Sequence, residues 1–581
     1  TPTNSPNNIR DLQRTLHNGA IAVLSFMLLT EWVAFKDQRA PASQESSRLI
    51  SNQDSSSTAG SADLPIPLAE TTASAAEDLP SAPLDEAQST DTPDTDLEET
   101  NTGRIIQVHT DVLQLAIDLQ GGDIIELALP KFLEKMDNPD VPFVLLEQNN
   151  TRNYIAQSGL IGANGIDSKG RATFSTSASR FDLQDGEESL TVDLEWLGDN
   201  QVKVTKRITL RRGDYLVDVD YLVENNSDSR WQANLFGQIK RDSSPPPAAD
   251  SSGMGMAPFL GVAITQPDER FTKFSFEDMA EEPLKSKLPG GWIAMIQHYF
   301  LSAWIPNPQQ SHTYSARVTR SGYNIAGFTS PAMVLDPGQS GQVGAAFYAG
   351  PKDQYRLEEI SPYLDLSVDY GWLWWIAQPL FWLLNKIYGL VGNWGVAIIL
   401  LTVLIKAAFF KLSATSYKSM ANMRRVQPKM QDIREQFADD KQKQSQAMME
   451  LYRKEKINPM GGCLPILVQM PVFIALYWVL MESVELRHAP FMLWIEDLSV
   501  MDPYFVLPLL MGASMWFMQK LNPPPPDPMQ AKIMQWMPVM FTFFFLWFPA
   551  GLVLYWVVNN LLSMAQQYVI TRQVEKAEAP A

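Results

Sequence analysis

Two lysines interrupt the apolar run from Trp394 to Leu412: Lys411 at its end and Lys406 well inside it. A cation at mid-helix in hydrocarbon costs roughly 2.5–3.5 kcal/mol on insertion scales. At about 1.5 Å per residue, Lys406 stands roughly 18 Å along the run from Trp394. Two readings follow. The amine snorkels to a nearby interface, or it faces a water-filled cavity that needs positive charge. Thr402 lies one turn earlier on the same helical face. Gln469 in a later apolar run, and Tyr555, Asn559 and Asn560 in the last one, add polar groups. Such groups either line one groove together or each bond a neighbouring helix. A groove of this kind, open to the cytoplasm, would hold a polar segment in transit across a membrane. Its chemistry would be solvation and attraction, with no bond made or broken.

Other chemistries are poorly served. The last five apolar runs carry no Asp or Glu in their cores. Ion-coupled carriers usually need carboxylates there, and no internal repeat is visible. A small-solute channel or transporter stays as the alternative reading. Cys463 is the one cysteine, so neither an internal disulfide nor a Cys-rich zinc site is expected. His17, His109, His298, His312 and His488 share no ligand spacing, and no phosphate-binding G-x-x-x-x-G-K-[ST] loop occurs. No cofactor, metal or catalytic constellation is expected, and the chain does not read as an enzyme.

Methionine is the second signal. Met420, Met423, Met430, Met448 and Met449 stud a polar helical segment, and others such as Met470, Met511 and Met537 populate the runs that follow. Flexible thioethers suit variable apolar partners, or they simply fill a core.

The elements that must position these residues follow from composition. The chain has 581 residues and a net charge of −19. From Gly371 onward there are 18 basic and 14 acidic residues, so the acidity belongs to the front. That partition disfavours both a uniformly soluble protein and binding of nucleic acid through bulk positive charge. Residues 1–36 contain an apolar run, Gly19 to Phe35, behind Arg10 and Arg14. It reads as a signal anchor with a cytoplasmic N-terminus, the alternative being a cleaved signal peptide. Residues 37–103 are Ser/Ala/Pro/Thr-rich, acidic and free of aromatic residues, which predicts a disordered tether. Residues 104–360 alternate apolar and polar in stretches such as VKVTKRITL and YLVDVDYLVEN, with turn signals between, which predicts a large β-sandwich.

Residues 370–392 carry four tryptophans and predict an amphipathic interfacial helix, with a true span as competitor. Residues 393–412 predict a second span. Residues 413–458 predict a helical hairpin turning at Asp439-Asp440, with Asp440 as an N-cap and Pro428 kinking the first helix. Lys411–Lys456 holds eleven basic and six acidic residues, so the hairpin is expected inside. Residues 459–571 predict spans three to six, and 572–581 a short cytoplasmic tail. The loop from Glu482 to Asp502 has five acids and one Arg487, so it is expected outside. The fold class is thus a polytopic α-helical membrane protein of six spans with a large extracytoplasmic all-β domain.

The stretches GWLWWIAQPL, VGNWGVAIILLT, DDKQKQSQAMMELYRKEKINPMGGCLPILVQMPVFIALYWVL, SVELRHAPFMLWIEDLS and FFLWFPAGLVLYWVVNNLLS resemble the YidC/Oxa/Alb membrane-insertase family. The anchor and β-domain resemble its Gram-negative form. The resemblance implies a five-helix insertase core with a groove open to cytoplasm and lipid, and a periplasmic β-supersandwich that supports partner contacts. It implies insertion of nascent membrane proteins into the inner membrane, alone or with the Sec translocon (SecYEG and SecDF), without nucleotide hydrolysis. Ribosome–nascent chain complexes and membrane lipids are the other partners implied, with no specific nucleic acid. Where the family usually has arginine in the second span, this chain has Lys406, which keeps the charge but loses the bidentate fork. Thr402, Gln469 and Asn560 correspond to groove-lining positions. Tyr555 and Trp556 lie in the stretch that contacts substrate in the family.

Overall fold

The computed structural model describes residues 79–80, 104–246, 258–266, 269–437, 440–455, 464–521 and 528–578. The expected signal anchor, nearly all of the acidic tether, and Cys463 lie outside them.

Alternating side chains build the β-domain. In Val202–Arg211 every second residue from Val202 to Leu210 is buried, as a strand with one wet face requires. Leu216–Asn225 follows the same rule, so Val217 and Val219 point inward and Asp218 and Asp220 sit on the wetter face. Ten strands form one sheet and eight form another among the described residues. The larger sheet centres on Asn153–Ile161 paired antiparallel with Trp231–Arg241, which in turn pairs with Asn324–Leu335. The smaller sheet runs through Leu216–Asn225, Ser340–Pro351 and Phe300–Pro306. Inner faces of both sheets share one core containing Leu160, Val204, Tyr221, Trp231, Trp304 and Phe328.

One polar network lies inside that core. Arg171 pairs with Asp123 and, at 3.0 Å, with Asp167. Lys206 is buried and donates from Nζ to the carbonyls of Gly121 (3.1 Å) and Gly122 (2.7 Å). Both glycines have positive φ, +88° and +62°, which other residues rarely adopt. Burial pushes the Lys206 amine down to about 7, while the two carboxylates hold the Arg171 guanidinium above its ordinary value.

Two short helices belong to this domain. α1 (Phe276–Glu281) starts with a Ser275/Asp278 capping box, and α2 (Gln354–Ile360) starts on the Asp353 side chain.

The helical part begins with α3 (Trp374–Val391). Ala377, Phe381, Leu384 and Ile387 are buried at helical spacing, while Trp374, Trp375 and Trp382 are exposed. The predicted amphipathic pattern is therefore present, with the tryptophans on the outer face. Gly392, at φ +66°, ends α3, and the Asn393 side chain caps α4 (Trp394–Ala408).

α4 ends sooner than the expected second span of 393–412. Phe409 adopts φ −88°, ψ 9°, and α5 (Phe410–Gln436) leaves at a 67° bend. The pair α4 and α5 meets the length and hydropathy needed to cross a bilayer together, whereas no single helix among the described residues does. α5 is continuous through Pro428. α6 (Lys441–Lys454) starts where expected, with Asp440 accepting from the backbone of Gln442 and Lys443, both at 3.1 Å.

α7 (Leu464–Glu482), α8 (Val506–Leu521), α9 (Pro528–Phe544) and α10 (Ala550–Glu578) complete the chain. α10 continues through Glu578, so residues 572–578 extend that helix. α3, α4, α7, α8 and α10 share one core around Leu401, Leu476, Met511 and Val553.

Candidate functional site

Lys406 is 5 % exposed, so its charge stays inside the helical core. Its Nζ donates to Ser563 Oγ on α10 at 2.8 Å and to Gln469 Oε1 on α7 at 3.3 Å. Gln469 Nε2 donates to Asn559 Oδ1 at 2.9 Å, and Ser563 Oγ donates to the Asn559 carbonyl at 2.7 Å. Gln566 Nε2 reaches the Lys406 carbonyl at 3.5 Å. Three helices thus converge on one ammonium.

The sequence of α10 explains the convergence. Asn559 and Ser563 are four residues apart and share a face. α4 supplies the cation and α7 an amide that accepts from Lys406 while donating to Asn559. An amide with both capacities can bridge a cation to a neutral acceptor. None of these partners carries a negative charge. Two polar atoms here remain buried without a partner, Trp556 Nε1 and Gln566 Oε1. Gln566 thus leaves an unused acceptor near the cation, and Trp556 an unused donor further along the same helix, capacity that suits an incoming polar segment.

The sequence-predicted residues divide into groups. Lys406, Gln469 and Asn559 meet directly. Thr402 is buried, but its hydroxyl turns back to the Ile398 carbonyl at 2.7 Å. Asn560 faces α8, where Nδ2 donates to Ser514 Oγ at 3.0 Å. Tyr555 is buried with its ring stacked on Phe473, centroids 6.1 Å apart. Trp556 packs edge-on against Phe473 at 4.8 Å and against Phe545 at 5.6 Å. Ser563 and Gln566 were not anticipated, although their spacing from Asn559 was available as a signal.

The hairpin methionines also divide. Met430 is buried with Val426 and Leu451, and Met423 and Met448 pack against that small core. Met420 is half-buried, while Met449 is 39 % exposed. The hairpin is tied across its open end by Glu455, which accepts from Lys429 at 2.6 Å and pairs with Arg425 at 3.7 Å.

Known proteins resemble this chain over most of its length. Residues 105–383 match the family described as YidC periplasmic domain, and residues 386–577 match the family described as 60Kd inner membrane protein. A protein of Cellvibrio japonicus named membrane protein insertase YidC is 52 % identical over 573 residues, covering 98 % of this chain and all of that one. A protein of the same name from Stutzerimonas stutzeri is 51 % identical over 578 residues, again covering 98 % of this chain and all of that one. A solved structure titled as an active YidC insertase with its first transmembrane domain resolved aligns at 18 % identity and a TM-score of 0.38, over 81 % of this chain and 93 % of that one.

Proposed function

The chain belongs to the YidC/Oxa/Alb membrane-insertase family, and from that premise we propose that the Lys406 cluster is the polar groove through which this insertase passes its substrates. It is a membrane protein insertase of the inner membrane with a large periplasmic domain, and its family is not enzymatic. The observation that carries the groove reading is the neutral surrounding of Lys406: Ser563 and Gln469 hold the ammonium, with Asn559 behind Gln469, and none of them cancels its charge.

The proposed sequence of events is physical. A nascent hydrophobic segment meets the cytoplasmic hairpin through exposed thioether and apolar groups around Met449. Its polar flank enters the cluster, where Lys406 attracts negative charge and the amides of Gln469 and Asn559 replace lost water. The hydrophobic segment then partitions into lipid. A membrane potential favours outward movement of acidic residues by about 2.3 kcal/mol per charge per 100 mV. The topology proposed with it has six spans and both termini in the cytoplasm. Thr402, Tyr555, Trp556 and Asn560 complete the groove walls. Ribosome–nascent chain complexes deliver substrate, alone or beside the Sec translocon.

The test is insertion of a small substrate with an acidic periplasmic tail into proteoliposomes, scored by protease protection. Lys406→Ala should lower insertion and Lys406→Arg should restore it. Undiminished insertion by Lys406→Ala would remove the cluster from the mechanism.

A further inference from the structure

Where the β-domain meets the end of α7, the protein forms a partly open cavity of about 220 Å3. Its wall holds two cations and two anions, Lys273, Lys352, Asp369 and Glu482, together with Ser367 and Trp478. Lys352 Nζ donates to Glu482 Oε2 at 2.9 Å and to the Ser367 carbonyl at 3.3 Å. That uses two of the three donors an ammonium offers. Lys273 Nζ pairs with Asp369 and lies 5.0 Å above the Phe259 ring. The Ser367 hydroxyl is buried and has no partner.

This wall discriminates by charge. A simple anion would be drawn by the lysines but opposed by both carboxylates, and a simple cation would meet the reverse. A group carrying one positive and one negative charge satisfies all four. An apolar cavity of 150 Å3 holds benzene, so 220 Å3 accommodates roughly nine non-hydrogen atoms. Phosphoethanolamine has about eight, by the same measure a close fit.

Position selects a lipid as the source of that group. Trp478 lies toward the end of the apolar helix α7. Its indole nitrogen stands 3.6 Å from where a side chain on Gly371 would begin. Beside Gly371, Trp372, Trp374 and Trp375 are exposed, as in the aromatic belts that sit at headgroup level.

We propose that this cavity binds the headgroup of a zwitterionic phospholipid bearing one phosphate and one primary ammonium. The phosphate takes the spare donors of Lys273 and Lys352 and the Ser367 hydroxyl. The ammonium sits against Asp369 and Glu482, and the acyl chains run along α7.

The experiment uses the full chain, delipidated in detergent, with native mass spectrometry of added dioleoyl phosphatidylethanolamine, phosphatidylglycerol or phosphatidylcholine. Phosphatidylethanolamine should be retained above the other two. Lys273→Ala, which removes a charge-assisted bond, should lower its retention about tenfold. Ser367→Val should lower it about fivefold. Circular dichroism and melting temperature verify that both variants are folded. Equal retention of phosphatidylglycerol or phosphatidylcholine would overturn the headgroup assignment, as would wild-type retention by both variants. Soluble glycerophosphoethanolamine should compete only at much higher concentration. If it binds as tightly as the lipid, the membrane source is overturned. Lipid retention is read without insertion, so its failure would leave the insertase assignment untouched.

Discussion

Lys352 and Glu482 form an ion pair at 2.9 Å with side chains only 2 % and 7 % exposed, joining the end of the last β-strand to the end of α7. Nothing in local sequence connects them, since they lie 130 positions apart. Other polar ties cross the same seam. His298 meets the Met481 carbonyl at 2.8 Å. Arg487 donates to the Leu133 carbonyl at 2.6 Å, with its guanidinium over the rings of Phe143 and Phe300. Buried ion pairs are costly to break on one side, because the remaining charge is left unpaired. Glu482→Gln should therefore destabilise the chain by about 3–5 kcal/mol. The double variant Lys352→Met, Glu482→Leu should lose much less. Unfolding of the full chain in detergent, followed by tryptophan fluorescence, checks both. Equal losses in the single and double variants would refute the argument.

Ser563 supports Lys406 with a hydroxyl that is itself anchored on the Asn559 carbonyl. Ser563→Ala removes one neutral partner from a buried cation, a loss of about 1.5–3 kcal/mol in that interaction. Insertion of an acidic-tailed substrate should fall, and insertion of a neutral-tailed one should fall less. The ratio of protease-protected product for the two substrates is the measurement. A Gln469→Leu variant should act in the same direction, because it removes both the Lys406 acceptor and the Asn559 donor.

How far this arrangement could be read from sequence varies by physical cause. Alternation exposed the strands around Val202–Asn225, because one face is wet. The fully buried strands Gly261–Ile264 and Ile293–Ile296 lack that contrast. Asp440 was legible as a cap, since it is a carboxylate standing just before a helical run. The 67° bend at Phe409 was not, because neither proline nor glycine marks it. Lys406 drew attention as a charge in an apolar run. Its partner Ser563 did not, because a serine in an apolar helix ordinarily bonds its own backbone, as this one also does.

Lys206 makes the periplasmic domain sensitive to pH. Burial holds its amine at about 7 in the folded chain, against 10.5 for an ordinary lysine. Below pH 7 both states carry the proton, and the folded state bears the full burden of burying it. Between 7 and 10.5 only the unfolded chain holds the proton, so stability rises with pH across that window. Asp123, Asp167, Arg171 and Tyr221 surround the amine, and the tyrosine hydroxyl is held far above this range. The melting temperature of the β-domain transition should increase from pH 7 to 9.5 in the wild type. Lys206→Met should flatten that rise, whatever its effect at a single pH.

The hairpin methionines should separate into structural and exposed classes. Met430→Ala leaves a cavity in the small core with Val426 and Leu451, and should loosen the hairpin by about 2 kcal/mol or more. Hydrogen exchange across α5 and α6 would register it. Met449→Gln should leave exchange unchanged, because that side chain already faces out, while lowering crosslinking of a stalled nascent chain to the hairpin. Faster exchange in Met449→Gln would place it in the core instead.

Crosslinking from the groove side should follow accessibility more than sequence position. Thr402 and Tyr555 are each 1 % exposed, and the Tyr555 ring is covered by Phe473. Trp556 and Asn559 are half-buried, and Trp556 keeps an unpartnered indole N–H. A photoreactive residue at Trp556 or Asn559 should therefore capture a stalled nascent segment more often than one at Thr402 or Tyr555. The difference has a physical origin: a substrate reaches the half-buried positions from the structure as it stands, but must displace packed rings to touch the other two. If all four capture equally, the core has opened around the substrate and the buried arrangement is its resting state. If Thr402 and Tyr555 alone capture it, the route runs through the packed interior, and the Lys406 cluster supports that route from outside it.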